Sequence, residues 1–336
     1  MNANNDVVNK AIRVINDALG SDNKITTKGG VNSKKIVIND CAFSLLIEDE
    51  VTSQRLGMVL KRVKDTQAES NEPIIVVSKY IPALVAFELK QKGVNYLDVS
   101  GNAYVKQKNL LVYIKGEKLV KLPKVNQTRA FQEAGLKLIF VLLNDPKAVN
   151  KTYREIALLA NISLASVGYV MKELEEANVI LSTHQKRVLK NTSALLNRWI
   201  VAYNDVLRPR LLKMRMRFSK SSNNNYWNTL PINKLPGVTL WGGEPAAAIL
   251  TQQLKPAKYT IYTKEEWQNI AKEFNLIPDE NGEIEVLSIF WDVNLFDRHK
   301  NTVPSLLVYT DLINSGLERN METAKIILDN ELKNIK

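Results

Sequence analysis

The chain has 336 residues, 45% of them apolar, and carries 46 Lys and Arg against 35 Asp and Glu, a formal net charge of +11. That apolar share can fill a core, which excludes wholesale disorder, and the length points to two or three domains. One cysteine, Cys41, and two histidines, His184 and His299, exclude an internal disulfide and a multi-thiolate or His-rich metal centre, so no metal or cofactor is expected.

The first residues, MNANNDVVNKAIRV, lack the apolar core of a signal peptide, and no apolar run reaches the length of a membrane span. The expectation is a soluble, cytoplasmic protein with a polyanionic partner and no membrane contact. Two apparent linkers divide the chain: residues 119–128, with Pro123 and no helical period, and the Ser/Asn-rich residues 219–228. Residues 1–125 carry 19 basic and 13 acidic groups, a net of +6. Residues 126–222 carry 16 and 7, a net of +9, and residues 223–336 carry 11 and 15, a net of −4. The largest excess therefore sits on the short middle segment.

In residues 1–125 the patterning predicts helices over 6–19, 52–63 and 81–91, and strands over 35–38, 43–47, 74–77, 94–99, 103–106 and 110–114. This is an N-terminal α/β domain. Asp98 at a strand end, Glu88 and Lys106 raise the reading of a metal-dependent nuclease, which needs an acid at one strand end and acid-x-Lys on the next strand. Tyr104 stands where that second acid belongs. The favoured reading is an inactive, restriction-endonuclease-like scaffold.

Residues 126–222 read as a winged helix-turn-helix with a basic extension. A helix is predicted over 128–144, its stripe formed by Phe131, Ala134, Leu138, Val141 and Leu142, and Asp145-Pro146 ends it. Thr152 and Glu155 form a capping-box signal for a helix over 153–160. A short turn at 161–163 leads to a second helix over 164–177, capped by Ser163. Strands over 179–183 and 187–189 flank a basic wing, His184-Gln185-Lys186. Small residues Ser163, Ala165 and Ser166 let the second helix approach base edges closely, with Tyr169 and Lys172 one turn on. Lys186 and Arg187 would reach phosphates from the wing.

A further helix, over 192–207, is predicted to bury Leu195, Leu196, Trp199, Ile200 and Tyr203. Beyond it, Arg208-Pro209-Arg210 reads as a turn. Lys213, Arg215 and Arg217 alternate with Met214, Met216 and Phe218 at strand period. With Arg208 and Arg210 they read either as phosphate contacts beside the winged helix or as a face that is solvated or paired with the acidic third domain.

Residues 223–336 read as a C-terminal α/β domain, with strands over 237–241, 258–262 and 285–290, helices over 246–254, 265–274 and 321–332, and a strand or helix entry at 304–309. Gly242-Gly243 before a helix is not a Walker loop, since no Gly-Lys-Ser/Thr follows. Glu244, Asp292, Asp297 and Asp311 could converge on a metal in a nucleotide-processing site, but such acids more often cap helices or pair with Arg.

Four runs carry a family likeness. They are YLDVSGNAY at 96–104, LNRW at 196–199 with Tyr203 and Leu207-Arg208-Pro209, WGGEPAA at 241–247, and VYTDL at 308–312. In this order around a winged helix they resemble the AbiEi-type antitoxin family of transcriptional regulators, from type IV (abortive-infection) toxin–antitoxin systems. In the better-known antitoxins of this kind the winged helix is N-terminal, whereas here an α/β segment precedes it. The resemblance implies a DNA-binding repressor of its own operon. It also implies antagonism of a nucleotidyltransferase-like toxin without direct toxin binding.

The reading is thus an α+β, multidomain, non-enzymatic regulator whose partner is double-stranded DNA. The competing readings are a nuclease or nucleotide-processing enzyme with a winged-helix targeting domain, and a scaffold whose basic middle pairs with its acidic C-terminal domain.

Overall fold

The computed structural model describes residues 3–19, 25–27, 35–39, 41–48, 51–52, 55–107, 110–114, 129–183, 186–219, 227, 232, 237–295 and 301–335. The linker expected at 119–128 lies outside them, as do all but Ser219 and Trp227 of the one at 219–228. Contacts divide the chain into two units, Met1–Val125 and Asn126–Lys336. Both mix helices with strands.

The first unit runs α1 (Ala3–Leu19), β1 (Ile25–Thr27), β2 (Lys35–Ile38), β3 (Cys41–Glu48), α2 (Leu56–Glu69), β4 (Ile74–Ser78), α3 (Ala83–Gln91), β5 (Asn95–Asp98), β6 (Ala103–Gln107) and β7 (Leu110–Ile114). Its seven strands lie in chain order in one sheet. The strands joined through α2 and α3 are parallel, β3 to β4 and β4 to β5, because a parallel pair needs a crossover. The other neighbouring strands pair antiparallel.

The unbroken apolar run in β4 has a simple cause. Ile75 and Val77 join Ala11 and Ile15 of α1 in one core, whereas Ile74 and Val76 join Val59 of α2 and Val85 and Leu89 of α3 in another. The strand is covered on both faces, so it shows no polar alternation. β1 was not anticipated; a three-residue strand of Ile25, Thr26 and Thr27 carries too short a period to read.

The second unit begins with a 3₁₀ turn, Arg129–Phe131, then α4 (Glu133–Asn144), a second 3₁₀ turn, Pro146–Asn150, and α5 (Tyr153–Ala160), α6 (Leu164–Glu176), β8 (Ile180–Ser182) and β9 (Arg187–Leu189). α7 (Thr192–Ala202) passes through a π turn, Tyr203–Leu207, into α8 (Arg208–Leu211) and β10 (Leu212–Phe218). There follow β11 (Thr239–Gly242), α9 (Gly243–Thr251), β12 (Tyr259–Thr263), α10 (Trp267–Phe274), β13 (Leu276–Pro278), β14 (Ile284–Ser288), α11 (Ser305–Ser315) and α12 (Glu318–Glu331).

Three features of this unit differ from the sequence expectation. First, α4 is buried over its whole circumference from Leu136 to Leu143, apart from Lys137. α5, α6 and α7 contact it, and the Phe140 ring meets Phe290 and Trp291 beyond the sheet. A helix at the centre of a core has no polar stripe to show. Close packing also explains Gly135, where a Cβ would run into the Ala130 carbonyl.

Second, residues 208–210 are helical, not a turn. Pro209 lacks an N–H and crowds the carbonyl one turn back, and the π turn directly before it widens the ladder so that the helix continues. Third, β10 does not trail the helical segment. The five-stranded sheet has the order β11-β12-β14-β10-β13, which places β10 inside the sheet, antiparallel to both neighbours. The division expected at 222/223 therefore falls between two strands of one sheet. Residues 304–309, open between strand and helix, belong to α11, which starts directly after Pro304.

Candidate nucleic-acid interface

Local chemistry fixes α5 and α6. The Thr152 hydroxyl accepts from the Glu155 N–H at 3.3 Å while the Glu155 carboxylate accepts from the Thr152 N–H at 2.8 Å. α5 ends at Asn161, left-handed with φ 51°, which an Asn side chain tolerates. Ser163 then caps α6, its Oγ accepting from the Ser166 N–H at 3.2 Å. The chain bends by 103° between the two helices. Ile156, Ala157 and Ala160 of α5, with Val167, Val170, Met171 and Leu174 of α6, are buried. Asn178, also left-handed, releases the chain into the antiparallel pair β8–β9. Asn150 clamps that hairpin to the helices by exchanging two hydrogen bonds with the Arg187 backbone, at 2.7 and 2.9 Å.

The opposite face of α6 is open. Ser163, Ala165, Tyr169 and Lys172 are exposed and Ser166 is half-buried. The Tyr169 ring is held from above by the Arg129 guanidinium, 4.2 Å from its centroid. Arg129 is positioned in turn, because its backbone N–H and that of Ala130 donate to Glu173, at 3.1 and 2.8 Å. Lys172 has only a loose pairing with Glu176, at 3.8 Å. Lys186 is exposed; the wing-tip residues His184 and Gln185 lie outside the described residues. Arg187 points back instead, donating to the Val149 carbonyl at 3.1 Å and lying over the Tyr153 ring.

Leu164 is an addition to the expected face. It is 49% exposed at the first turn of α6, and Leu158 on α5 is 76% exposed. A signal existed: Leu164 follows the cap directly and falls off the Val167, Val170, Leu174 stripe. Exposed apolar side chains at such a place can meet thymine methyl groups.

The basic run that follows α7 is engaged within the chain. Arg208 donates to Glu285 at 2.6 Å and, more loosely, to Asp311 at 3.5 Å. Arg215 pairs with Glu285 at 3.0 Å, Arg217 with Asp279 at 3.2 Å and Arg210 with Glu133 at 2.8 Å. Lys213 donates to the Glu265 carbonyl at 2.6 Å. Arg208, Lys213, Arg215 and Arg217 thus bond to the acidic segment, and Arg210 to Glu133 on α4. Burial works against the Arg208 charge, yet Asp311 and Glu285 hold its proton more firmly than in water. Burial would raise Glu285, but Arg208 and Arg215 carry it below the ordinary carboxylate range. Burial pushes Asp311 up, against the pull of Arg208 and of the Tyr262 hydroxyl at 3.1 Å.

The residues of the enzyme readings are placed as follows. Asp98 ends β5, fully buried, and its two oxygens take four donors: the N–H groups of Ile81, Ser100 and Asn102 and the Asn102 amide, at 2.8 to 3.0 Å. Glu88 lies on α3, Lys106 is exposed on β6, and Tyr104 stands on β6 where the second acid was sought. In the second unit, Glu244 is taken up by Arg319 and Asn320, and Asp292 caps its own turn through the Asn294 N–H. Asp297 lies outside the described residues. Among the described residues no three His, Cys, Asp or Glu side chains gather as a metal site, and no single helix is long and apolar enough to cross a membrane.

Asp98 has a consequence for stability. Burial pushes its carboxyl up to about 6, with the four donors pulling the other way. A carboxyl raised on folding binds its proton more tightly in the native state. Its contribution is therefore fully present below about pH 4 and lost as the pH rises through about 6, roughly 3 kcal/mol in all. Amide exchange in β4 and β5 at pH 4 to 7, compared between the native chain and Asp98→Asn, is expected to show the slope in the native chain alone. Equal slopes would refute it.

No curated protein and no solved structure gives a significant match to the chain. A family match does exist, and it begins at β9 and runs to the end of α12. It takes in three of the four runs on which the likeness rested, those at 196–209, 241–247 and 308–312. Residues 187–333 are similar to the family described as transcriptional regulator, AbiEi antitoxin, type IV toxin–antitoxin system.

Proposed function

We propose that α4, α5, α6 and the β8–β9 hairpin form a winged helix-turn-helix that binds double-stranded DNA, with the N-terminus of α6 in the major groove. In this reading Ser163, Ala165, Ser166 and Tyr169 face the bases, joined by Leu164, while Lys172 and Lys186 meet phosphates. The protein represses its own operon as the antitoxin of a nucleotidyltransferase-like toxin, which it opposes without direct binding. The observation that carries the reading is the open, capped face of α6, set at 103° to α5 and bearing small, aromatic and basic side chains where a buried helix face would be apolar. The family match supports the regulatory role and does not extend over α5 and α6.

We read the first unit as a non-catalytic, restriction-endonuclease-like scaffold. What supports this is Asp98, whose oxygens are taken up by three donors of its own turn and by the Ile81 N–H ahead of α3.

Gel-shift titration of the full chain on its own upstream region, over a series of salt concentrations, tests the DNA reading. Affinity is expected to fall steeply with salt. Lys186→Ala is expected to flatten the log–log slope by about 0.9, the value of one phosphate contact. Lack of binding at low salt, or binding indifferent to salt, would overturn it.

A further inference from the structure

The second unit holds a cavity of about 550 Å³, bounded by the start of α9, by β12 and β10, and by the corner between α11 and α12. That volume is typical of a small-molecule site. Three acids at its base are already matched within the chain. Glu244 takes Arg319 Nη2 at 2.8 Å on each oxygen, together with the Ala257 N–H at 2.7 Å. Glu285 holds Arg208 and Arg215, and Asp311 holds the Tyr262 hydroxyl and Arg208.

What the cavity wall leaves unmet is neutral. Asn320 is fully buried, and its Nδ2 donates to Glu244 at 2.9 Å and to the Ser315 Oγ at 2.8 Å. A carboxylate only accepts, so the amide is fixed with its nitrogen toward Glu244. Its Oδ1 is then an acceptor with no partner, and the buried Nδ2 of Asn314, on the last turn of α11, is a donor with none. Buried polar atoms without partners are rare in folded proteins. One acceptor and one donor from the same corner describe the complement of a planar edge that itself carries a donor and an acceptor, as a nucleobase does.

The remaining charge narrows the choice further. Glu280 and Glu283 also face the cavity, and Lys258 is the one lysine on its wall. Carboxylates accept from hydroxyls, as they do from the ribose diol in dinucleotide sites, and they repel phosphate. We propose that this cavity binds an unphosphorylated nucleoside, with Asn314 and Asn320 reading the edge of its base. None of the residues that line it belongs to α5, α6 or the β8–β9 hairpin, and its test needs no DNA.

Calorimetric titration of the full chain with adenosine, guanosine, cytidine and uridine, each beside its 5′-monophosphate, decides it. One nucleoside is expected to bind in about the micromolar range, at least about tenfold tighter than its monophosphate. Asn320→Ala also removes a bond to Glu244 and so bears on folding. Asn314→Ala is the cleaner variant, because its Nδ2 has no bond to lose, and it is expected to weaken the nucleoside about tenfold with unchanged thermal stability. The proposal falls if no nucleoside gives heat at about 1 mM. It falls equally if the monophosphates bind as tightly, or if binding survives Asn314→Ala undiminished.

Discussion

Replacing Trp199 with alanine is expected to cost the second unit about 3–5 kcal/mol, the range for emptying a fully buried tryptophan site. Trp199 lies fully buried between two rings, stacked on Tyr203 at 4.9 Å and on Phe140 at 5.8 Å. Its indole N–H donates to the Leu136 carbonyl at 2.9 Å. Phe140 continues the chain of contacts to Phe290, at 5.0 Å, and to Trp291. The same aromatic cluster thus supports the helices that carry the α6 face and the sheet that carries the family match. Against a total stability of about 5–15 kcal/mol, the loss leaves a marginal fold. All five tryptophans of the chain lie in Asn126–Lys336, so fluorescence reports this unit alone. Urea unfolding should show one transition moved to lower urea, with protection lost together in α6 and β14. Two separate midpoints, only one of them displaced, would show that the helices and the sheet do not share a core. Trp199→Phe keeps a ring in the stack and is expected to lose less.

The helix caps, encoded within a turn or two of chain, were legible in the sequence, whereas Pro209 read as a turn because the π turn ahead of it was not. Thr152 and Glu155 announced their capping box, Ser163 its cap, and Asn161 and Asn178 the helix ends. The continuous run at 74–77 announced a strand buried on both faces. What escaped depends on partners distant in the chain. The period of β10 was readable, but the destinations of its cations were not: Arg208 finds Glu285 77 positions away and Asp311 103 positions away. α4 read as a one-striped helix because the rings that cover its other side come from residues 290 and 291. β13, three residues ending in Pro278, has no period to detect and a proline that argues against a strand; it is tolerated at the sheet edge. The candidate interface was legible in its small and basic residues, since these are local to α6. Leu164 was signalled only by its place off the apolar stripe, and its exposure is a property of the packed helix.

Arg208→Ala is the second large expected effect, and it separates two meanings of the positive charge. The guanidinium is about one-fifth exposed and bridges Glu285 and Asp311. Its removal leaves the buried Asp311 without a counter-ion beside a Glu285 that keeps only Arg215, a loss of about 3–5 kcal/mol for a broken buried pair. Asp311 also holds the Tyr262 hydroxyl, which in turn meets the Tyr203 hydroxyl at 2.7 Å, so the damage reaches the ring stack on Trp199. If Arg208 were instead a phosphate contact, alanine would flatten the salt dependence of DNA binding by about 0.9 and leave folding alone. The expected outcome is the reverse: a large shift in urea midpoint, and an unchanged salt slope measured at a temperature where the variant is still folded. Lys186→Ala should behave in the opposite way on both measurements, as an exposed lysine does. A variant pair with this crossed pattern would divide the +9 of residues 126–222 into charge that holds the sheet together and charge that remains for the DNA backbone. An Arg208→Ala chain as stable as the native one, with a flattened slope, would return the whole run to the DNA-binding surface.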